Sequence, residues 1–173
     1  MSRYTAKICV LGDFAVGKTS TVSRFVHAVF SEKYLTTIGV KIDTKVMTVG
    51  EIDLKLVIWD VAGTDKLKTV EFSYLRGAAG YILVCDGTRR DTLKAARQLL
   101  AQAQQGLGEV PFVFLVNKSD LTNQWEVTES DWADIGSSGD NVFLTSAKTG
   151  DEVERAIQRL AQQVIAREFP DLV

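Results

Sequence analysis

The segment Gly12-Asp13-Phe14-Ala15-Val16-Gly17-Lys18-Thr19 satisfies the spacing G-x-x-x-x-G-K-[ST], and it follows the apolar run Ile8-Cys9-Val10-Leu11. Behind it, from Ser20 onward, begins a stretch of helical period. A loop that wraps a polyphosphate must turn successive backbone N–H groups inward, and glycines allow the dihedral angles and close approach this requires. The N-terminus of the following helix adds its positive dipole end. Lys18 can neutralise the outer phosphates and the Thr19 hydroxyl can ligate a divalent cation. An ordinary glycine turn is the plainer reading, but it leaves the lysine, the hydroxyl and the flanking strand and helix unexplained.

A strand–loop–helix of this kind belongs in an α/β sheet, and the rest of the chain has the matching rhythm. Apolar runs predict strands over 5–11, 40–48, 52–59, 80–86, 111–116 and 141–145, and helical spacing predicts helices over 17–27, 66–76, 91–105, 129–135 and 151–167. Val49-Gly50-Glu51 separates the second and third strands as a hairpin would, giving one antiparallel edge strand on a mostly parallel six-stranded sheet with about five flanking helices. With 173 residues, a single domain over 1–173 is expected. A net charge of -2 removes the basic surplus of a nucleic-acid binder, and 46% hydrophobic residues argue against a disordered chain. Cys9 and Cys85 sit in apolar runs and read as buried thiols in a reducing, cytoplasmic setting. Residue 2 is serine and the ending Phe169-Pro170-Asp171-Leu172-Val173 lacks cysteine, so no intrinsic membrane anchor is expected.

Phosphates are common to all nucleotides, so base choice needs a second site. Asn117-Lys118-Ser119-Asp120 closes the run Phe112-Val113-Phe114-Leu115-Val116, at the strand end where open α/β sheets place ligands. The Asp120 carboxylate only accepts hydrogen bonds. Guanine offers N1–H and the N2 amine side by side; adenine has an acceptor at N1 and no N2 amine, which leaves the carboxylate unpaired. Alone, such a tetrapeptide could be an Asx turn.

Together these segments resemble the Ras superfamily of small GTPases from about Thr5 to Arg167. Thr36-Thr37-Ile38-Gly39-Val40 is similar to the switch I threonine motif, Trp59-Asp60-Val61-Ala62-Gly63 to the start of switch II, and Thr145-Ser146-Ala147-Lys148 to the last guanine-contacting loop. Ile58-Trp59-Asp60 and Tyr74-Leu75-Arg76-Gly77-Ala78 are most similar to the Rab branch. The resemblance implies a P-loop NTPase fold and a switch that binds GTP or GDP with Mg²⁺. It implies that Thr19 and Thr37 ligate Mg²⁺, that Asp60 holds the ion through a water, and that the Gly63 N–H meets the γ-phosphate. Phe30 would pack edge-on to guanine, Tyr34 would lie over the phosphates, the Lys118 stem would cover the base, and the Ala147 N–H would bond guanine O6. Lys18, Thr37, Gly63 and Thr64 are the candidates for hydrolysis. An effector, an exchange factor and a GTPase-activating protein are the implied partners of a monomeric switch. Individually Thr37 and Asp60 could be turn formers, and Phe30 and Trp59 core; their order along the chain is what favours the sharper reading. Trp125 and Trp132 carry no readable signal.

Two departures bear on catalysis. Thr64 stands where most of the family has the glutamine that orients water, so slow unaided hydrolysis is expected. Phe14 and Ala15 occupy loop positions that are often small in the family, and a phenyl ring would crowd an incoming arginine finger. Two other readings remain open. One is a GTP-binding interaction module with negligible hydrolysis; the other is a nucleotide kinase, which leaves Asn117–Asp120 without a purpose.

Overall fold

Ser2–Gly12 forms strand β1, and its alternation decides the layering: Ile8 and Val10 face one side of the sheet, Cys9 and Leu11 the other. The structure is a computed structural model and describes residues 2–27, 40–61, 72–135 and 140–172. After β1 come α1 (Lys18–His27), β2 (Val40–Val49), β3 (Ile52–Val61), α2 (Phe72–Leu75), β4 (Gly80–Asp86) and α3 (Arg90–Leu107). Then follow β5 (Phe112–Asn117), a 3-10 segment Ser119–Gln124, α4 (Glu129–Trp132), β6 (Val142–Thr145), α5 (Val153–Glu168) and a 3-10 turn Pro170–Leu172.

The six strands lie in the order β2-β3-β1-β4-β5-β6. Among the described residues only β2 and β3 pair antiparallel, as the Val49–Glu51 hairpin predicts, and the other neighbour pairs are parallel. From β1 the chain runs outward to β2 and β3 on one side, then crosses to β4 on the other. That reversal opens a crevice at the carboxyl end of β1, where the phosphate loop starts.

Each sheet face has its own helices. Val22 and Phe25 of α1 and Val153, Ile157, Leu160 and Val164 of α5 bury against Ile8, Val10, Val84 and Leu115. Leu93, Ala96, Leu99 and Ala103 of α3, with Leu75 and Trp132, cover Cys9, Leu11, Leu83, Cys85 and Val116. The helical spacing of both sets puts their apolar side chains on one stripe. β4 is buried at all seven residues, consistent with a central parallel strand covered on both faces.

Differences from the expected elements have local causes. β1 starts at Ser2 rather than residue 5, because β3 offers partners down to Ser2↔Ile52 even where the side chains are exposed. The helix expected over 129–135 is only Glu129–Trp132; the Thr128 and Asp131 capping box starts it, and Ile135 N–H closes a turn on the Trp132 carbonyl at 3.0 Å. Of the helix expected over 66–76, residues 72–76 fall within the described residues, and of these Phe72–Leu75 is helical while Arg76 is in a turn. The Ser119–Gln124 segment has no apolar period, so nothing in its sequence announced it.

Candidate functional site

The carboxyl ends of four parallel strands bring the site residues together. Gly12 ends β1, Asp86 ends β4 beside Asn117 of β5 in the register, and Thr145 ends β6, paired with Asn117. The fifth, Asp60, lies next to Val10 on β3.

Gly12 and Gly17 are required for different reasons. A Cβ on Gly12 would lie 2.5 Å from the Val84 carbonyl oxygen, so β4 leaves no room for a side chain. Gly17 has φ of +100°, and a Cβ there would lie 2.3 Å from Asn117 Nδ2. Between them Ala15 also has positive φ, which bends the loop back on itself. Val16 is fully buried and anchors the loop, whereas the Phe14 side chain is 49% exposed. Lys18 is buried, and its ammonium donates to the carbonyls of Gly12 and Asp13, both at 3.0 Å, which holds it within the curve of the loop. Asp13 Oδ1 accepts from the Phe14 N–H at 2.8 Å, and Ser20 is buried in the first turn of α1.

Thr19 Oγ1 donates to Asp60 Oδ2 at 2.5 Å. Burial pushes the Asp60 carboxyl above its ordinary value, while the Thr19 bond and the nearby Lys18 and Lys41 charges work against the rise. A buried carboxylate beside a hydroxyl is a pair of hard oxygen donors, which fits Mg²⁺ as bound by one or two carboxylates together with phosphates and water.

Asn117 joins the Gly12–Thr19 loop to the loop after β6. Its Nδ2 donates to the Val16 carbonyl at 2.9 Å, and its Oδ1 accepts from the Thr145 hydroxyl and the Ala147 N–H, both at 3.2 Å. With Asn117 2% exposed, each of these bonds is shielded from water. Ser146 Oγ donates to Asp120 Oδ1 at 2.8 Å and accepts the Thr149 N–H, so the last loop orients the exposed Asp120 carboxylate. Lys148 is exposed beyond it. Phe30, Tyr34, Thr37, Gly63 and Thr64 lie outside the described residues.

Three contributors gave no signal in the sequence. Asp86 is fully buried and its Oδ2 meets Lys118 Nζ at 2.7 Å and Arg89 Nε at 3.1 Å. Burial works to raise its carboxyl, but Lys118, Thr88 and Arg89 outweigh it and hold the group below the usual carboxylate value. Lys118 adopts a left-handed backbone, and its carbonyl accepts Trp125 Nε1–H at 2.8 Å. The Trp125 ring lies so close to Gly87 that a Cβ there would come within 2.2 Å of it. An aspartate closing an apolar run is all that the sequence shows of Asp86, and a turn former looks the same. Burial pushes the Cys9 thiol up to about 11 and the Cys85 thiol up to about 12, so both are protonated near neutrality and neither is a nucleophile.

A groove of about 830 Å³ runs along the β6 edge, lined by Asp140, Leu144, Arg155 and Arg159 among others, and none of the strand-end site residues lines it. No described helix is long and apolar enough to cross a membrane.

Comparison with known proteins gives the family. The family model of the Ras family matches residues 7–166. Ras-related protein Rab-17 of Mus musculus is 37% identical over 167 residues, covering 95% of this chain and 78% of that protein. Its Homo sapiens counterpart is 38% identical over 164 residues, 93% of this chain and 77% of that protein. Ras-related protein Rab-4A of Rattus norvegicus is 35% identical over 161 residues, 92% of this chain and 74% of that protein. The chain therefore belongs to the Ras family of small GTPases, guanine-nucleotide-binding switches, and within it is Rab-like.

Proposed function

We propose that this single G domain over 1–173 binds GTP and GDP through the residues gathered at the strand ends and hydrolyses GTP slowly. The observation that carries the reading is Asn117, whose one buried amide bonds both the phosphate loop at Val16 and the base-reading loop at Ala147. A side chain spanning both loops serves a ligand with a phosphate end and a base end.

The loop from Gly12 to Thr19 cradles the phosphates with its N–H groups, and Lys18 neutralises the outer ones. Thr19, Thr37 and Asp60 would hold Mg²⁺, which when bound offsets charge on the β- and γ-phosphates. Asp120 accepts from guanine N1–H and the N2 amine, the Ala147 N–H donates to O6, and the Lys118 stem covers the base with Phe30 at its edge. Tyr34 covers the phosphates. Thr37 and the Gly63 N–H sense the γ-phosphate, so its loss releases switch I (about 30–42) and switch II (about 60–76) and changes the surface offered to an effector. An exchange factor and a GTPase-activating protein would set the timing.

Thr64 lacks the amide needed to hold water and phosphate together, so intrinsic turnover is about 10⁻⁴ s⁻¹ or slower. The exposed Phe14 ring at the loop tip favours a second reading, a GTP-held interaction module that barely hydrolyses. Single-turnover GTP hydrolysis with Mg²⁺, beside affinities for GTP, GDP and ATP, separates the two. Guanine-selective binding with slow phosphate release, accelerated in Thr64→Gln, supports the switch. Selective binding with no release over many hours supports the module, and ATP bound as tightly as GTP overturns both.

A further inference from the structure

We propose that Arg89 and Asp86 are positioning residues that tie the phosphate loop to the base-covering lysine through one buried carboxylate, setting how firmly the β-phosphate is gripped. The inference rests on the nucleotide-site reading above.

Asp86 is held by its protein neighbours on both carboxylate oxygens. Its Oδ1 accepts the Thr88 N–H at 2.9 Å and the Thr88 hydroxyl at 2.7 Å, while its Oδ2 takes Arg89 and Lys118. Its own N–H donates to Thr92 Oγ1 at 2.9 Å, and Thr92 Oγ1 donates on to the Arg89 carbonyl at 2.7 Å. With both oxygens saturated and the side chain fully buried, the carboxylate is a fixed point.

Arg89 carries that fixed point to the loop. Its Nε is on Asp86, and its Nη2 donates to the Phe14 carbonyl at 2.8 Å, across 75 residues of sequence. The Phe14 carbonyl directly precedes Ala15, whose left-handed backbone sets the bend of the loop. Like Asn117 on Val16, Arg89 holds a loop carbonyl from outside the loop. A planar guanidinium can span the two acceptors at once, whereas a lysine ammonium on a single stem reaches one or the other.

The geometry assigns separate consequences to the two ends. Removing Arg89 frees the Phe14 carbonyl but leaves Lys118 on Asp86, so the phosphate grip weakens and the base hold stays. GDP and GMP share the base and differ in the β-phosphate that the loop encloses, so the ratio of their affinities reads this link alone.

The test measures GDP and GMP dissociation constants for wild type, Arg89→Ala, Arg89→Lys and Asp86→Asn, with ADP on the wild type as control. In Arg89→Ala, GDP should weaken about tenfold and GMP change less than about twofold. Arg89→Lys should recover only part of the loss, and Asp86→Asn should weaken both nucleotides. Equal weakening of GDP and GMP in Arg89→Ala, no weakening of either, or full recovery in Arg89→Lys would each overturn the proposal. If Asp86→Asn does not fold, the partly exposed Arg89 series decides alone. Wild type binding ADP as well as GDP defeats the guanine reading instead, and the GDP-to-GMP ratio still reports on Arg89.

Discussion

At the scale of single residues, the carboxylates of Asp120 and Asp86 are held in opposite ways. Asp120 is exposed and oriented by Ser146, free to present its oxygens outward. Asp120→Asn should weaken GDP by roughly 10²-fold or more and favour xanthosine diphosphate, whose C2 carbonyl meets the new amide donor; competition binding with the two nucleotides checks it. Asp86 is buried and satisfied internally, and its depressed folded pKa makes it an acid-sensitive anchor. Its stabilising contribution is complete above the unfolded value of about 3.9 and is lost as pH falls through the lower folded value. Urea unfolding over a pH series should therefore show a stability loss below about pH 4 that is shallower in Asp86→Asn. A slope unchanged by that substitution would assign the loss to other carboxylates.

Elements explain why those residues meet. The phosphate loop begins where β1 ends and continues into α1, so strand, loop and helix are consecutive and the pattern is complete in eight residues. Gly17→Ala should lower GDP affinity at least about tenfold, since the new methyl would force apart the loop and Asn117, the pair whose Cβ-to-Nδ2 separation would be 2.3 Å; isothermal titration measures it. Legibility follows the same line. The loop, Asn117–Asp120 and the hairpin of β2 with β3 were readable because each is a local arrangement. Asp86, Arg89 and Trp125 were not, because their meaning depends on β4 lying beside β5 and on the loop passing over both. An aspartate after an apolar run is indistinguishable from a turn former until the neighbouring strand is known. Ser119–Gln124 stayed hidden for a related reason: its polar residues follow the backbone set by Lys118 rather than a core-facing period.

For the whole molecule, the site lies on the edge shared by two sheet faces, each with its own helical cover. A nucleotide bound there would stabilise the assembly of β1, β3, β4, β5 and β6 rather than one segment. GDP held at about a hundred times its dissociation constant should raise unfolding stability by about 2.7 kcal/mol, seen as a higher midpoint in chemical denaturation. Leu160→Ala, which empties space between α5 and the sheet, should cost about 2–5 kcal/mol and leave GDP-over-ADP preference intact. A change of nucleotide preference in that variant would show the faces and the site to be less independent than their separate contacts imply.

The order of these pieces along the chain matters on the ribosome. The phosphate cradle is made early, within the first residues translated, but the Ala147 amide that completes the Asn117 bridge comes near the end, just before α5. A nascent chain halted before β6 would carry Asp120 without the Ser146 hydroxyl that orients it and Asn117 without the Ala147 N–H, and the apolar face that α5 covers would be bare. The final stretch, Val142 to Glu168, supplies both at once, so the bridge between the two loops and the cover of that apolar face are completed together during synthesis.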